Sequence, residues 1–191
     1  MKTDIILAGV GGQGILTIAA AIGFASLEEK LYVKQSEVHG MSQRGGAVQS
    51  HLRISSDPIA SDLIPLGKAH LILSVEPMEA LRYLPYLSPQ GWLVTSIVPF
   101  VNIPVYPPLD QIENELKGIP NHLIVDADKI AKDCGSPKAS NIVMLGAAAD
   151  HIGLTWNSLV KGIEMVFSRK GSEIVEANLR ALEAGRQFSR G

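Results

Sequence analysis

The stretch Ile5-Ile6-Leu7-Ala8-Gly9-Val10-Gly11-Gly12-Gln13-Gly14 leaves the chain few choices of conformation. Ile5 to Ala8 is short, apolar and closed by glycine, which reads as a buried strand. Ile15 to Leu27 carries Ala, Ile, Leu and Phe with few breakers, so a helix follows at once. Gly9, Gly11 and Gly14 therefore meet the G-x-G-x-x-G spacing between a strand and a helix. Glycine suits this place because the chain turns tightly, a ligand or second backbone can approach closely, and the helix packs near the strand. The first N–H groups of the helix have no partner within it and, helped by the helix dipole, form a ready anion site. The competing reading is a tight strand–helix turn that binds nothing.

A second unusual stretch is Ser36-Glu37-Val38-His39-Gly40-Met41-Ser42-Gln43-Arg44-Gly45-Gly46. Glycines, an acid, a histidine and an arginine crowd together, as in a loop that approaches a ligand or partner backbone closely. The guanidinium of Arg44 offers a planar fork to a phosphate or carboxylate, or is a solvated or structurally paired cation. His39 suits acid–base work or hydrogen bonding, although a lone loop histidine more often only satisfies backbone groups. Glu37 lies 23 residues past Gly14. A dinucleotide-binding fold places its ribose-binding acid at an offset of about 20, so a nicotinamide reading stays open.

Between and beyond these motifs the pattern alternates. Leu31-Tyr32-Val33 reads as a short strand, and Ala47 to Ile54 alternates apolar and polar as a half-exposed strand does. Ala69 to Val75, Trp92 to Thr95 and His122 to Val125 are further strands. Glu76-Pro77 opens a helix running to about Leu84, with proline in the first turn, where its missing N–H costs little. Pro85 and Ser88-Pro89-Gln90-Gly91 read as chain breaks, and Pro99 to Pro108, with four prolines, as an edge or surface loop. Asp110 to Leu116 is a short helix, and Asp126 N-caps another over Ala127 to Asp133. Helices over Asn141 to His151, Trp156 to Phe167 (capped by Thr155) and Glu173 to Phe188 complete the chain.

This order predicts an α/β fold: an open, largely parallel, Rossmann-like sheet flanked by helices, with a helical C-terminal part. Residues 1–191 read as one domain, with strands and helices alternating over 1–139 and a helical packing part over 140–191. Ligands of such sheets sit beyond the carboxyl ends of the strands. Both motifs follow strands, so both are expected at that one rim.

Composition narrows the function classes. A formal net charge of −2 argues against a nucleic-acid or membrane-surface protein driven by bulk charge. No apolar run reaches the roughly 18 residues a membrane helix needs. Met1 to Asp4 leads straight into a strand rather than a cleavage site, and Cys134 is the single cysteine, so a cytoplasmic protein is expected. One cysteine cannot supply a four-thiolate cluster, and the five histidines lack metal-ligand spacing, so no metal site is expected.

Taken together, Gly9-Val10-Gly11-Gly12-Gln13-Gly14 and the stretch from Ser36 to Gly46 resemble the gamma-type domain of the 2-oxoacid:ferredoxin oxidoreductases. Within that family they look most like the beta subunit of the indolepyruvate enzymes. The resemblance extends through the strand at Ala69, Glu76 and Tyr106-Pro107 to the helix at Asn141. It implies a subunit of an enzyme that decarboxylates an aryl 2-oxoacid such as indolepyruvate, transfers the acyl group to coenzyme A and reduces ferredoxin. It also implies that thiamine diphosphate and iron–sulfur clusters are carried by a larger alpha subunit, leaving this chain without a cofactor of its own and inactive alone. This chain shows no evident thiamine-binding signature, which would be a Gly-Asp followed at a distance by an Asn. Gly9, Gly11, Gly12, Gln13, Gly14, Glu37, His39, Gly40, Met41, Ser42, Gln43, Arg44, Gly45 and Gly46 are the candidate surface near the active site or coenzyme A. No single residue receives a catalytic role.

Three other readings stay open: a pyruvate or other 2-oxoacid enzyme of the same family, a self-sufficient NAD(P)-binding oxidoreductase, and a non-enzymatic ligand-sensing or scaffold module.

Overall fold

The computed structural model describes residues 1–40, 45–101, 103 and 105–191. Strands β1 (Lys2–Val10), β2 (Tyr32–His39), β3 (Ala47–Ser55), β4 (Ala69–Ser74), β5 (Leu87–Ser96) and β6 (His122–Val125) form one sheet in the order β2-β3-β1-β4-β5-β6. β1, β4, β5 and β6 are mutually parallel, as expected. β3 runs antiparallel to both β1 and β2, so the sheet is mixed at one side. A short hairpin connection explains this departure, because parallel neighbours need a long crossover and residues 40–46 are too few for one.

Helices cover both faces. On one face lie α1 (Ile15–Glu28), α4 (Ala127–Asp133), α5 (Ser140–Ala147), α6 (Ala149–Ile152), α7 (Trp156–Phe167) and α8 (Ser172–Arg190), which share a core with Ile5, Leu7, Leu71, Leu73 and Val94. On the other lie α2 (Pro77–Arg82) and α3 (Leu109–Lys117), packed over Ile6, Ile72 and Leu93. The two sets alternate along each strand, as the two-residue side-chain period requires. Burial on both faces is why β1 and β4 read as continuous apolar runs.

Three boundaries differ from expectation. β2 continues through Ser36, Glu37, Val38 and His39, so the second motif begins in a strand, not a loop. The long C-terminal helix over Asn141 to His151 is two helices, α5 and α6, broken at Ala148. Ser88 to Gly91 does not break the chain but lies inside β5. β6 pairs with β5 only from Leu93 onward, so Pro89 sits where one edge of the strand is open, beside a register shift. A proline is tolerated there because its missing donor faces no ladder. The proline-rich segment after β5 carries no strand or helix at its described residues before α3, as expected.

Candidate functional site

β1 delivers the glycine turn to the carboxyl rim of the sheet, and each glycine there has its own physical reason. Gly9 has no room for a side chain: a Cβ would lie 2.4 Å from Val75 Cγ2 and 2.9 Å from Ile15 Cδ1. That absence lets the start of α1 and the end of β4 close on β1. Gly14 sits at φ +82°, a left-handed conformation that L side chains rarely adopt. Its carbonyl accepts from Thr17 N at 3.0 Å and Ile18 N at 3.2 Å, starting α1, and from Asn141 Nδ2 at 3.2 Å. Gly12, at φ +102°, has open space where a Cβ would stand. Another molecule can approach the backbone there.

Gln13 does not reach outward. Its Oε1 accepts from Val10 N at 2.8 Å and its Nε2 donates to Val75 O at 3.4 Å. The side chain braces the turn across to the end of β4. This role was not legible from spacing, because Val75 lies far along the chain.

The second motif meets the first. Gly11 N donates to Gly46 O at 2.8 Å and Gly45 N to Gly11 O at 3.3 Å. Gly40 N donates to Ala47 O at 2.9 Å and closes the β2–β3 hairpin. The expectation of one shared rim is therefore met at Gly11, Gly45 and Gly46. Met41, Ser42, Gln43 and Arg44 lie outside the described residues.

Glu37 and His39 stand apart from the turn. Both belong to β2, which is separated from β1 by β3. Two strand spacings amount to about 10 Å. A ribose-binding acid instead follows the strand beside the glycine turn, so Glu37 does not have the dinucleotide-fold placement that its offset suggested. His39 Nε2 lies 2.5 Å from Glu37 Oε1. Glu37 Oε2 accepts from Gln35 Nε2 at 3.4 Å.

The topology marks the rim as a binding place. β1 leads to α1 on one face, while β4 leads to α2 on the other. The connections thus leave these neighbouring parallel strands toward opposite faces, and ligands of open α/β sheets bind in the crevice at such a switch. Here that crevice holds about 170 Å³ and is bounded by Gln13, Val75, Ser96, Asp128 and Asn141. A wider cleft of about 940 Å³ adjoins it, where Gly12, Gly14, Lys138, Asn141 and Asn178 line the wall. Sequence reading missed Asn141 as part of the site. Its only signal was a polar residue opening an apolar helix.

Glu76 is a further rim residue without an expected role. It ends the β4 segment, caps α2 by accepting from Glu79 N at 2.8 Å, and is 1% exposed. Tyr106 Oη donates to its Oε1 at 2.5 Å, and Phe100 N does so at 3.3 Å. Burial first, then the hydrogen bond to Glu76, holds the Tyr106 phenol well above its ordinary pKa, so it is a neutral donor. Burial likewise raises Glu79, against the opposing pull of Arg82.

Among the described residues no group of three His, Cys, Asp or Glu side chains converges, and no helix is long and apolar enough to cross a membrane. Cys134 is free, its Sγ 3.3 Å from Ala131 O.

Over residues 4–188 the chain matches the family described as pyruvate ferredoxin/flavodoxin oxidoreductase. It is 37% identical to the indolepyruvate oxidoreductase subunit IorB of Methanothermobacter thermautotrophicus, covering 97% of this chain and 96% of that one. Identity to the 2-oxoglutarate synthase subunit KorC of Methanothermobacter marburgensis is 26%, with 98% and 97% covered. The fold superposes with a TM-score of 0.77, at 20% identity, on the 2-oxoglutarate:ferredoxin oxidoreductase of Magnetococcus marinus solved with 2-oxoglutarate, coenzyme A and succinyl-CoA bound. That superposition covers 99% of this chain and 31% of the longer one. With the match running through both glycine motifs and on into the C-terminal helices, this chain belongs to the pyruvate ferredoxin/flavodoxin oxidoreductase family.

Proposed function

We propose that this chain is the cofactor-free subunit of a 2-oxoacid:ferredoxin oxidoreductase that oxidatively decarboxylates an aryl 2-oxoacid such as indolepyruvate to its acyl-CoA. The observation that carries this reading is the end-to-end 37% identity to an indolepyruvate oxidoreductase subunit, against 26% to one named for 2-oxoglutarate. The geometry supports it by joining the glycine turn and the Gly45-Gly46 segment into one face through the Gly11 hydrogen bonds. In this reading residues 1–191 act as one gamma-type domain, and that face is where it meets a larger subunit and coenzyme A.

The donor set supports a division in which that partner carries the redox chemistry. One cysteine cannot supply the four thiolates of an iron–sulfur cluster. Thiamine diphosphate on the larger subunit would supply the carbanion chemistry, and its clusters the path to ferredoxin. What this chain contributes is a rigid rim. Gln13 and Asn141 fix the glycine turn, Gly12 keeps its backbone open to approach, and the first N–H groups of α1 favour an anionic group there.

Co-expression with the larger subunit tests the proposal. Indolepyruvate with coenzyme A should reduce ferredoxin, or a dye in its place, only when both chains are present. Equal turnover by the larger subunit alone would overturn it. Titration of the isolated chain with NAD and NADP checks the dinucleotide alternative, which requires stoichiometric binding.

A further inference from the structure

We propose that Glu76 is a positioning residue: one buried carboxylate that clamps both ends of the rim segment from Phe100 to Tyr106. The inference rests on where its hydrogen bonds come from. Oε1 accepts from the Phe100 backbone at one end of that segment and from the Tyr106 hydroxyl at the other. Oε2 accepts from Glu79 N inside α2. A carboxylate has only acceptors, and here every partner is a donor. Arg82, the nearest cation in sequence, pairs with Glu79 instead, Nε to Oε2 at 3.0 Å. A carboxyl group so enclosed is tolerable only if such donors stay in place, so the clamp and the segment depend on each other.

Four prolines between Pro99 and Pro108 keep this stretch out of a helix, and no strand passes through Phe100, Val101, Val105 or Tyr106. Among its described residues, the hydrogen bonds from Phe100 N and Tyr106 Oη both reach Glu76. Glu76 itself is held rigidly. Its carbonyl accepts from Ser74 Oγ at 2.6 Å and from Ala80 N at 3.1 Å, and Pro77 fixes the next residue. The clamp is thus anchored to β4 and α2 and sits beside the switch-point crevice. Phe100 is 41% exposed and Val105 83%, so apolar side chains face outward at both ends of the segment. On the function proposed above, the clamp sets the shape of the rim that the larger subunit meets.

Glutamine at this position cannot replace glutamate, because one of its two ends becomes a donor. It would then face the backbone donor of either Glu79 or Phe100.

The test is backbone hydrogen exchange on the full chain for Tyr106→Phe and Glu76→Gln, with melting temperature alongside. Exchange at Phe100, Val101 and Tyr106 should accelerate about tenfold in Tyr106→Phe, the scale of a lost hydrogen bond to a charged group. Protection in β4 and β5 should be unchanged. Glu76→Gln should accelerate exchange at Glu79 or at Phe100, according to which of these donors its amide nitrogen meets. Unchanged exchange in Tyr106→Phe, or equal loss of protection across β4 and β5, would overturn the clamp. If Glu76→Gln does not fold, Tyr106→Phe still decides. Titration of the larger subunit against wild type and Tyr106→Phe separates the two proposals. No binding by wild type overturns the subunit reading and leaves the exchange result to judge the clamp. Weaker binding by Tyr106→Phe alone extends the clamp to assembly, and equal binding overturns that extension.

Discussion

At the scale of single residues, similar glycines do different work. Gly9 and Gly14 are demanded by neighbours within the chain, whereas Gly12 stands beside open space. Alanine at Gly14 would hold a side chain at φ +82° and place its Cβ 2.4 Å from Asn141 Nδ2. Gly14→Ala is expected to cost about 1–3 kcal/mol, the range for a strained non-glycine conformation, as read from urea unfolding. The spacing of Gly9, Gly11 and Gly14 was legible because a strand–turn–helix junction imposes it. The partners Val75 and Asn141 were not, since they come from distant segments. Gln13 is the instructive case. An amide in a glycine loop reads as a ligand donor, yet both ends of this one are used on Val10 and Val75.

At the scale of elements, close backbone contact joins the C-terminal helices to one another and to α1. A Cβ on Gly146 would lie 2.0 Å from Leu182 O, and one on Gly185 would lie 2.0 Å from Val143 O. α5 and α8 therefore cross backbone to backbone, with a glycine from each at the crossing. Gly162 does the same for α7 against Ala21 O in α1, at 2.3 Å. Because a carbonyl cannot yield as a side-chain tip can, Gly185→Ala is expected to cost about 3 kcal/mol, at the upper end for overpacking. Thermal unfolding measures this, and a neutral result would mean that the helices can separate freely. These helices were legible as helices from their 3.6-residue periodicity and from the Thr155 cap, whose Oγ1 accepts from Ser158 N at 3.3 Å. Their crossing was not, since a glycine inside a helix looks the same whether it faces water or a backbone. β2 shows the converse. Its first residues were legible as a strand, but its continuation through His39 comes from pairing with β3, not from its own composition.

At the scale of the whole molecule, one buried and one half-buried histidine couple stability to pH. Burial holds the imidazoles of His51 and His151 below their ordinary 6.5, and for His151 the Asp150 charge opposes it. In the unfolded chain both regain that value. Below about pH 6.5 the unfolded state thus binds protons that the folded state refuses, so stability present above that pH falls as the pH drops. His151 stacks on Trp92 with ring centroids 4.0 Å apart. His151→Phe keeps an aromatic partner and removes a titrating group, so its melting temperature should fall less than that of wild type between pH 7.5 and 5.5. Parallel curves for the two proteins would assign the acid sensitivity elsewhere.

The sequence alone determined the alternation of strand and helix, the glycine turn at the end of the first strand, and the family, because each is written in neighbouring residues. Apolar period, capping residues and glycine spacing are local, and local chemistry decides them. Only the tertiary structure decided which strand lies beside β1, that Gly11 bonds to Gly45 and Gly46, and that Glu76 gathers both Phe100 and Tyr106. The reason is physical. Hydrogen bonds and close contacts between distant segments depend on how sheet and helices pack, and no period along the chain records that packing.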